Sequence, residues 1–214
     1  LRQLVAGALL IWVALLPCCS PLGPTTPFPP AGPDTLGQRL TGRFWFCGQA
    51  EKPERVQYIC NWGDGDIDTG PAIRSGDTVW LVHAWEDTGS YAVLARALDN
   101  SARVSDWSEP KPVLVVNLGP NTPESVLGPD TTFVDTVPEY SVTTQDPEAD
   151  LVTYEFSWGD GETYIAAGYA SAAVCRAVHV WREPGEYRVQ ARARDASHDF
   201  GDWSQARIVT VVNP

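Results

Sequence analysis

The chain has 214 residues and a formal charge of −12, with 27 acidic against 15 basic side chains. That balance argues against a nucleic-acid binder, which needs a Lys/Arg surface to face phosphates. Eighteen glycines, eighteen prolines and 43% hydrophobic residues exclude a helical bundle, a multi-span membrane protein and a chain disordered throughout. They suit many short strands joined by turns.

Residues 1–19 read as an export segment. Arg2 precedes an uncharged apolar run from Leu4 to Leu16. As a helix that run spans about 20 Å, short of the roughly 30 Å bilayer core, which is the layout of an export signal. Leu16-Pro17-Cys18-Cys19 resembles a bacterial lipobox, with Cys19 as the lipidated residue. Lipid attachment at Cys19, plain secretion and an uncleaved anchor all fit these residues. Each confines membrane contact to the N-terminus. Residues 20–27 form a proline-rich linker.

The rest of the chain is one unit written twice, at an offset of 96 residues. Trp62-Gly63-Asp64-Gly65 recurs as Trp158-Gly159-Asp160-Gly161, His83 and Trp85 as His179 and Trp181, and Asp106-Trp107-Ser108 as Asp202-Trp203-Ser204. Aligned without a gap, 23–118 and 119–214 share 34 identities in 96 positions. Chance would give about 6, so this is a tandem duplication. The first domain is placed at 28–117, a linker at 118–122 and the second domain at 123–213.

Each unit reads as a β-sandwich, making the chain all-β. Phe44 with Phe46, and Tyr140 with Val142, mark an early strand in each copy. Tyr58, Cys60 and Trp62, and Tyr154, Phe156 and Trp158, form inward sets at period two. Tyr91, Val93, Ala95 and Ala97 form another, repeated as Tyr187, Val189, Ala191 and Ala193. Val113 with Val115, and Val209 with Val211, mark the last strands. The Gly-Asp-Gly after each tryptophan is a tight turn.

At these residues the chain resembles a known family. Tyr154-x-Phe156-x-Trp158-Gly-Asp-Gly, His179-x-Trp181 and Pro184-Gly185-x-Tyr187-x-Val189 look like the PKD domain, an immunoglobulin-like sandwich. Asp146-Pro147-Glu148-Ala149-Asp150 resembles that family's acidic loop. The first copy departs from the pattern at Ala50 to Glu54 and at Cys60. The closing Asp-Trp-Ser is also similar to fibronectin type III domains. The PKD resemblance implies a non-catalytic extracellular module, a spacer or a mediator of protein or carbohydrate contact.

Side chains able to do chemistry are few. His83 and His179 each stand beside a tryptophan in an apolar run, and both read as packed, hydrogen-bonded residues. Asp64, Asp66 and Asp68 have part of a calcium-loop spacing, but Thr69 and Ser75 stand where such a loop needs Gly and Glu. A solvated hairpin is expected there, and the Asp146–Asp150 loop reads the same way. Arg96 with Trp107, and Arg192 with Trp203, are expected to form cation–π clasps. Trp45 and Trp80 align with Ser141 and Arg176, so they are the candidate aromatic contact surface. Cys47 and Cys60 are the candidate disulfide, with a bulge needed to bring Cys47 inward. Cys175 aligns with Val79 and reads as a buried hydrophobe. No catalytic, cofactor-binding or metal-binding residue is assigned, because no nucleophile, zinc or phosphate-loop motif occurs. The reading is an exported cell-surface protein that is not an enzyme and has no cofactor. Its modules contact an unknown protein or a polysaccharide. The alternative is a carbohydrate-binding accessory module using the exposed aromatics of the first domain.

Overall fold

Alternating burial builds the strands, and the 96-residue duplication builds them twice. The computed structural model describes residues 23–48 and 55–214. The export segment with Cys19, the start of the proline-rich linker and the Ala50–Glu54 departure lie outside the described residues. No helix occurs among the described residues.

The first unit contains β1 (Thr35–Gly37), β2 (Gly42–Phe46), β3 (Arg55–Asn61), β4 (Ile67–Thr69), β5 (Ile73–Arg74), β6 (Val79–His83), β7 (Gly89–Asp99) and β8 (Lys111–Val116). One sheet runs β1-β8-β7-β3-β4, with β5 also on β3, and β2 pairs with β6 in the other sheet. The second unit contains β9 (Thr131–Phe133), β10 (Glu139–Val142), β11 (Val152–Ser157), β12 (Thr163–Tyr169), β13 (Cys175–Val178), β14 (Gly185–Arg194) and β15 (Arg207–Val212). Its sheets run β12-β11-β14-β15-β9 and β10-β13. The first and last strands of each unit pair in parallel, β1 with β8 and β9 with β15. The other strand pairings are antiparallel.

Each unit closes over its own core. Phe44, Phe46, Tyr58, Cys60, Trp62, Trp85, Val93 and Val113 are among the side chains that fill the first. Tyr140, Tyr154, Phe156, Trp158, Trp181, Val189 and Val209 are among those that fill the second. Phe156 stacks on Trp158 at 5.2 Å, in the place that Cys60 holds in the first unit. Burial of these aromatics dominates the stability of both units.

Two expectations are corrected. Tyr91 and Tyr187 begin the inward sets, yet both are only half-buried. They stand at the end of the sandwich, where each ring tilts against a tryptophan and each hydroxyl reaches back to a carbonyl. Tyr91 donates to Asp87 O at 2.8 Å and Tyr187 to Glu183 O at 3.0 Å. The Cys47–Cys60 bridge is not formed, and Cys47, Cys60 and Cys175 are free thiols. Cys60 points into the core from β3. Cys47 lies past the end of β2, in the opposite sheet, with its thiol 3.7 Å from Gly76 O. Cys175 is fully buried, as a hydrophobe would be, and burial pushes its thiol up.

Candidate functional site

Among the described residues, polar or aromatic side chains gather around the histidine of each unit, at the seam between the units, and on the outer face of β2 and β6.

The Gly-Asp-Gly turn after β3 returns the chain tightly, with Gly63 and Gly65 at φ of 87° and 108°. Its aspartate is thereby aimed at the end of β6. His83 Nε2 lies 2.6 Å from Asp64 Oδ2, and its ring lies flat on Trp62 and edge-on to Trp85. The second unit repeats this with His179, Asp160, Trp158 and Trp181. Burial works to raise the Asp64 and Asp160 carboxyls. The histidine hydrogen bond, a backbone N–H and the histidine charge outweigh it and hold both below the usual range. The histidines are therefore wedged between indoles and paired to a carboxylate, as packed residues would be.

Asp66 joins Asp64 and His83, and Glu162 joins Asp160 and His179, so that one ligand-type atom from each lies within 4.8 Å of the others. Asp68 does not join them, because it accepts a hydrogen bond from Trp62 Nε1 at 2.9 Å. The sequence-level reading as a simple hairpin missed this convergence. The only signal for it was the recurrence of Asp and His at one spacing in both copies.

At the seam, the acidic loop of the second unit meets the exit strand of the first. Glu148 Oε1 accepts the Leu118 N–H at 3.1 Å, and Asp150 accepts from the Arg39 guanidinium at 2.6 Å. Asn117 Nδ2 donates to Asp195 Oδ2 at 3.3 Å. Asp195 also accepts two backbone N–H bonds and the His198 ring. Glu148 is only 6% exposed. Burial first, then the charges of Asp146 and Asp150, push its carboxyl up against the pull of the Leu118 N–H. Asp146 Oδ2, Glu148 Oε2 and Asn117 Oδ1 are buried without a hydrogen-bond partner among the described residues. The loop is thus a buried clasp rather than the solvated segment expected. Arg39, Asn117, Asp195 and His198 were missed altogether.

On β2 and β6, Trp45 and Trp80 are directly opposed across the strands, 43% and 50% exposed. The Arg43 guanidinium lies 4.2 Å from the Trp80 ring centroid. In the second unit the same pair is Ser141 and Arg176. Arg96 and Arg192 cover Trp107 and Trp203 at 4.6 and 4.4 Å, forming a clasp in each unit.

No family model and no curated protein matches the chain. Solved structures do match it. A PKD domain of an M14-like peptidase from a Thermoplasmatales archaeon is 34% identical, covering 46% of this chain and 99% of that one, with a TM-score of 0.41. The CARDB domain of a Pyrococcus furiosus protein in complex with di-metal ions is 16% identical, covering 45% of this chain and 96% of that one, at a TM-score of 0.35. A segment of two fibronectin type III domains from chicken tenascin is 13% identical, covering 88% of this chain and 99% of that one, at a TM-score of 0.42. The identity to the archaeal PKD domain extends over nearly all of that domain, about the length of one repeat here. The Trp-Gly-Asp-Gly turns and their stacked histidines recur in both halves, and each half is an immunoglobulin-like β-sandwich similar to the PKD domain.

Proposed function

We propose that this chain is a non-catalytic, exported cell-surface protein whose two PKD-type sandwiches act as a spacer and as a surface for protein–protein or adhesive contact. The observation that carries this reading is the seam. Arg39 with Asp150, Leu118 with Glu148, and Asn117 with Asp195 tie one unit to the next. A module that sets a distance needs such a fixed joint, because a loose linker would let the ends collapse. The cationic start, short apolar run and lipobox-like Cys19 support export and attachment at the N-terminus. The acidic surface supports solubility and disfavours adsorption to anionic lipid.

The test is mass spectrometry of the mature protein from its native membrane fraction, together with protease shaving of intact cells. A diacylglyceryl-Cys19 terminus and loss of the protein on shaving are expected. An unprocessed chain protected from protease would overturn the reading.

A second reading, a carbohydrate-binding accessory module, is favoured by one observation. Trp45 and Trp80 form an exposed aromatic pair in one unit only, where the other carries Ser141 and Arg176. Glycan-array binding that disappears in Trp45→Ala and Trp80→Ala would support it. An array without any bound polysaccharide would exclude it.

A further inference from the structure

The duplication lets two edge strands be compared position by position. In the first unit, residues 67–79 carry Asp68, Arg74 and Asp77, and Gly70-Pro71 breaks the edge into β4 and β5. Charges, a proline and a short broken strand are the means by which natural sheets block pairing with other chains. In the second unit, the matching residues 163–175 contain no charged side chain and no proline, in a chain whose net charge is −12. Their strand, β12, is unbroken over Thr163–Tyr169 and, among the described residues, pairs only with β11, at the outer end of its sheet.

The ladder shows which groups are open. Trp158 N–H donates to Glu162 O at 3.2 Å, so the alternate pair Phe156 and Tyr164 is also hydrogen-bonded. The N–H and C=O groups of Thr163 and Ile165 then point away from β11. Tyr164 and Ile165 are 48% and 55% exposed. The register shifts beyond Tyr154, and Gly168 takes φ of 84°, so the regular edge ends near Ala166.

We propose that this edge pairs with the same edge of a second copy, antiparallel about a two-fold axis. Thr163 stands opposite Ile165 of the second copy and Tyr164 opposite its own equivalent. Four backbone hydrogen bonds form, and the two five-stranded sheets join into one. A strand that is its own complement needs no foreign partner, and the contact is isologous, so it closes at a dimer. Charge selects the place as well. Two copies each carrying −12 repel over most of their surfaces, and the pairing residues Thr163 to Ala166 carry no charge to add to it. The inference rests on the sheet edge alone and is independent of the cell-surface reading.

Sedimentation velocity on the full chain, in a non-ionic detergent that covers the Leu4–Leu16 run, is expected to show a concentration-dependent dimer. Ile165→Pro removes the outward N–H and leaves the β11 ladder intact. Tyr164→Asp restores the charge that the first unit carries at the matching position. Each is expected to weaken the dimer by about tenfold or more, with an unchanged far-UV spectrum. Tyr164→Cys is expected to give a disulfide-linked dimer on mild oxidation that Tyr164→Ser does not give. A chain that stays monomeric at every concentration, or a dimer that persists in both Ile165→Pro and Tyr164→Asp, overturns the proposal.

Discussion

The imidazole of His179 lies flat on the indole of Trp158, 3° from parallel and with 4.8 Å between centroids. His83 and Trp62 repeat the arrangement at 4° and 4.6 Å. Each histidine thus fills space between two tryptophans while satisfying a carboxylate. Replacing His179 with Ala is expected to cost about 2–4 kcal/mol, through a cavity and an orphaned Asp160. Urea unfolding followed by tryptophan fluorescence checks it. His83→Ala is expected to behave alike, because the geometry is the same.

The aspartates set an acid limit. The Asp160 carboxyl is held below its usual range in the folded chain, so it binds fewer protons there than when unfolded. Its contribution to stability is present above the ordinary carboxylate range and is lost as pH falls through the folded value. Asp160→Asn is expected to be less stable than the natural chain at pH 7. The difference should shrink steadily as pH falls below about 4. Urea titrations at stepped pH measure it, and a constant difference would contradict the assignment.

The two glycines of the second turn are expected to differ. A Cβ on Gly159 would stand 2.6 Å from Arg188 N, whereas one on Gly161 would meet no described residue within 4 Å. Both have positive φ, so both substitutions strain the backbone. Gly159→Ala adds a clash with fixed main chain and is expected to cost clearly more than Gly161→Ala, which costs about 1 kcal/mol. Thermal melts of the two variants side by side make the comparison.

At the seam, Glu148→Lys puts a cation where a buried carboxylate accepts the Leu118 N–H. The distribution of distances between labels placed one in each unit is expected to broaden. Glu148→Gln keeps an acceptor for Leu118 and removes a charge that burial disfavours, so the distribution should stay narrow. Pulsed electron spin resonance reads both. An equally broad distribution in the natural chain would show that the clasp does not hold.

The strands were legible because burial alternates within each one. Val93, Ala95 and Ala97 on β7, and Tyr154 and Phe156 on β11 with Trp158 just after it, announce themselves at period two and do so twice. The seam was not legible, because Arg39, Asn117, Asp150 and Asp195 are brought together only by the way two finished units meet. An acidic loop read along the chain looks solvated, and nothing local says that Leu118 needs an acceptor. The histidines were half legible. Their repetition signalled a packed role, but the ring each one stacks on opens the Trp-Gly-Asp-Gly turn, 21 residues earlier. Period two also overreached at Tyr91 and Tyr187, since it says nothing about where a strand leaves the sandwich.

The parallel pairing of β1 with β8, and of β9 with β15, has a mechanical consequence. Tension drawn along the chain pulls the first strand of a unit toward its beginning and the last toward its end. Because the two run in the same direction, the pull acts along the strands and stretches their cross-bonds together, rather than peeling them open one at a time. Each unit therefore meets a tug applied at its two ends in the geometry where a short ladder resists most.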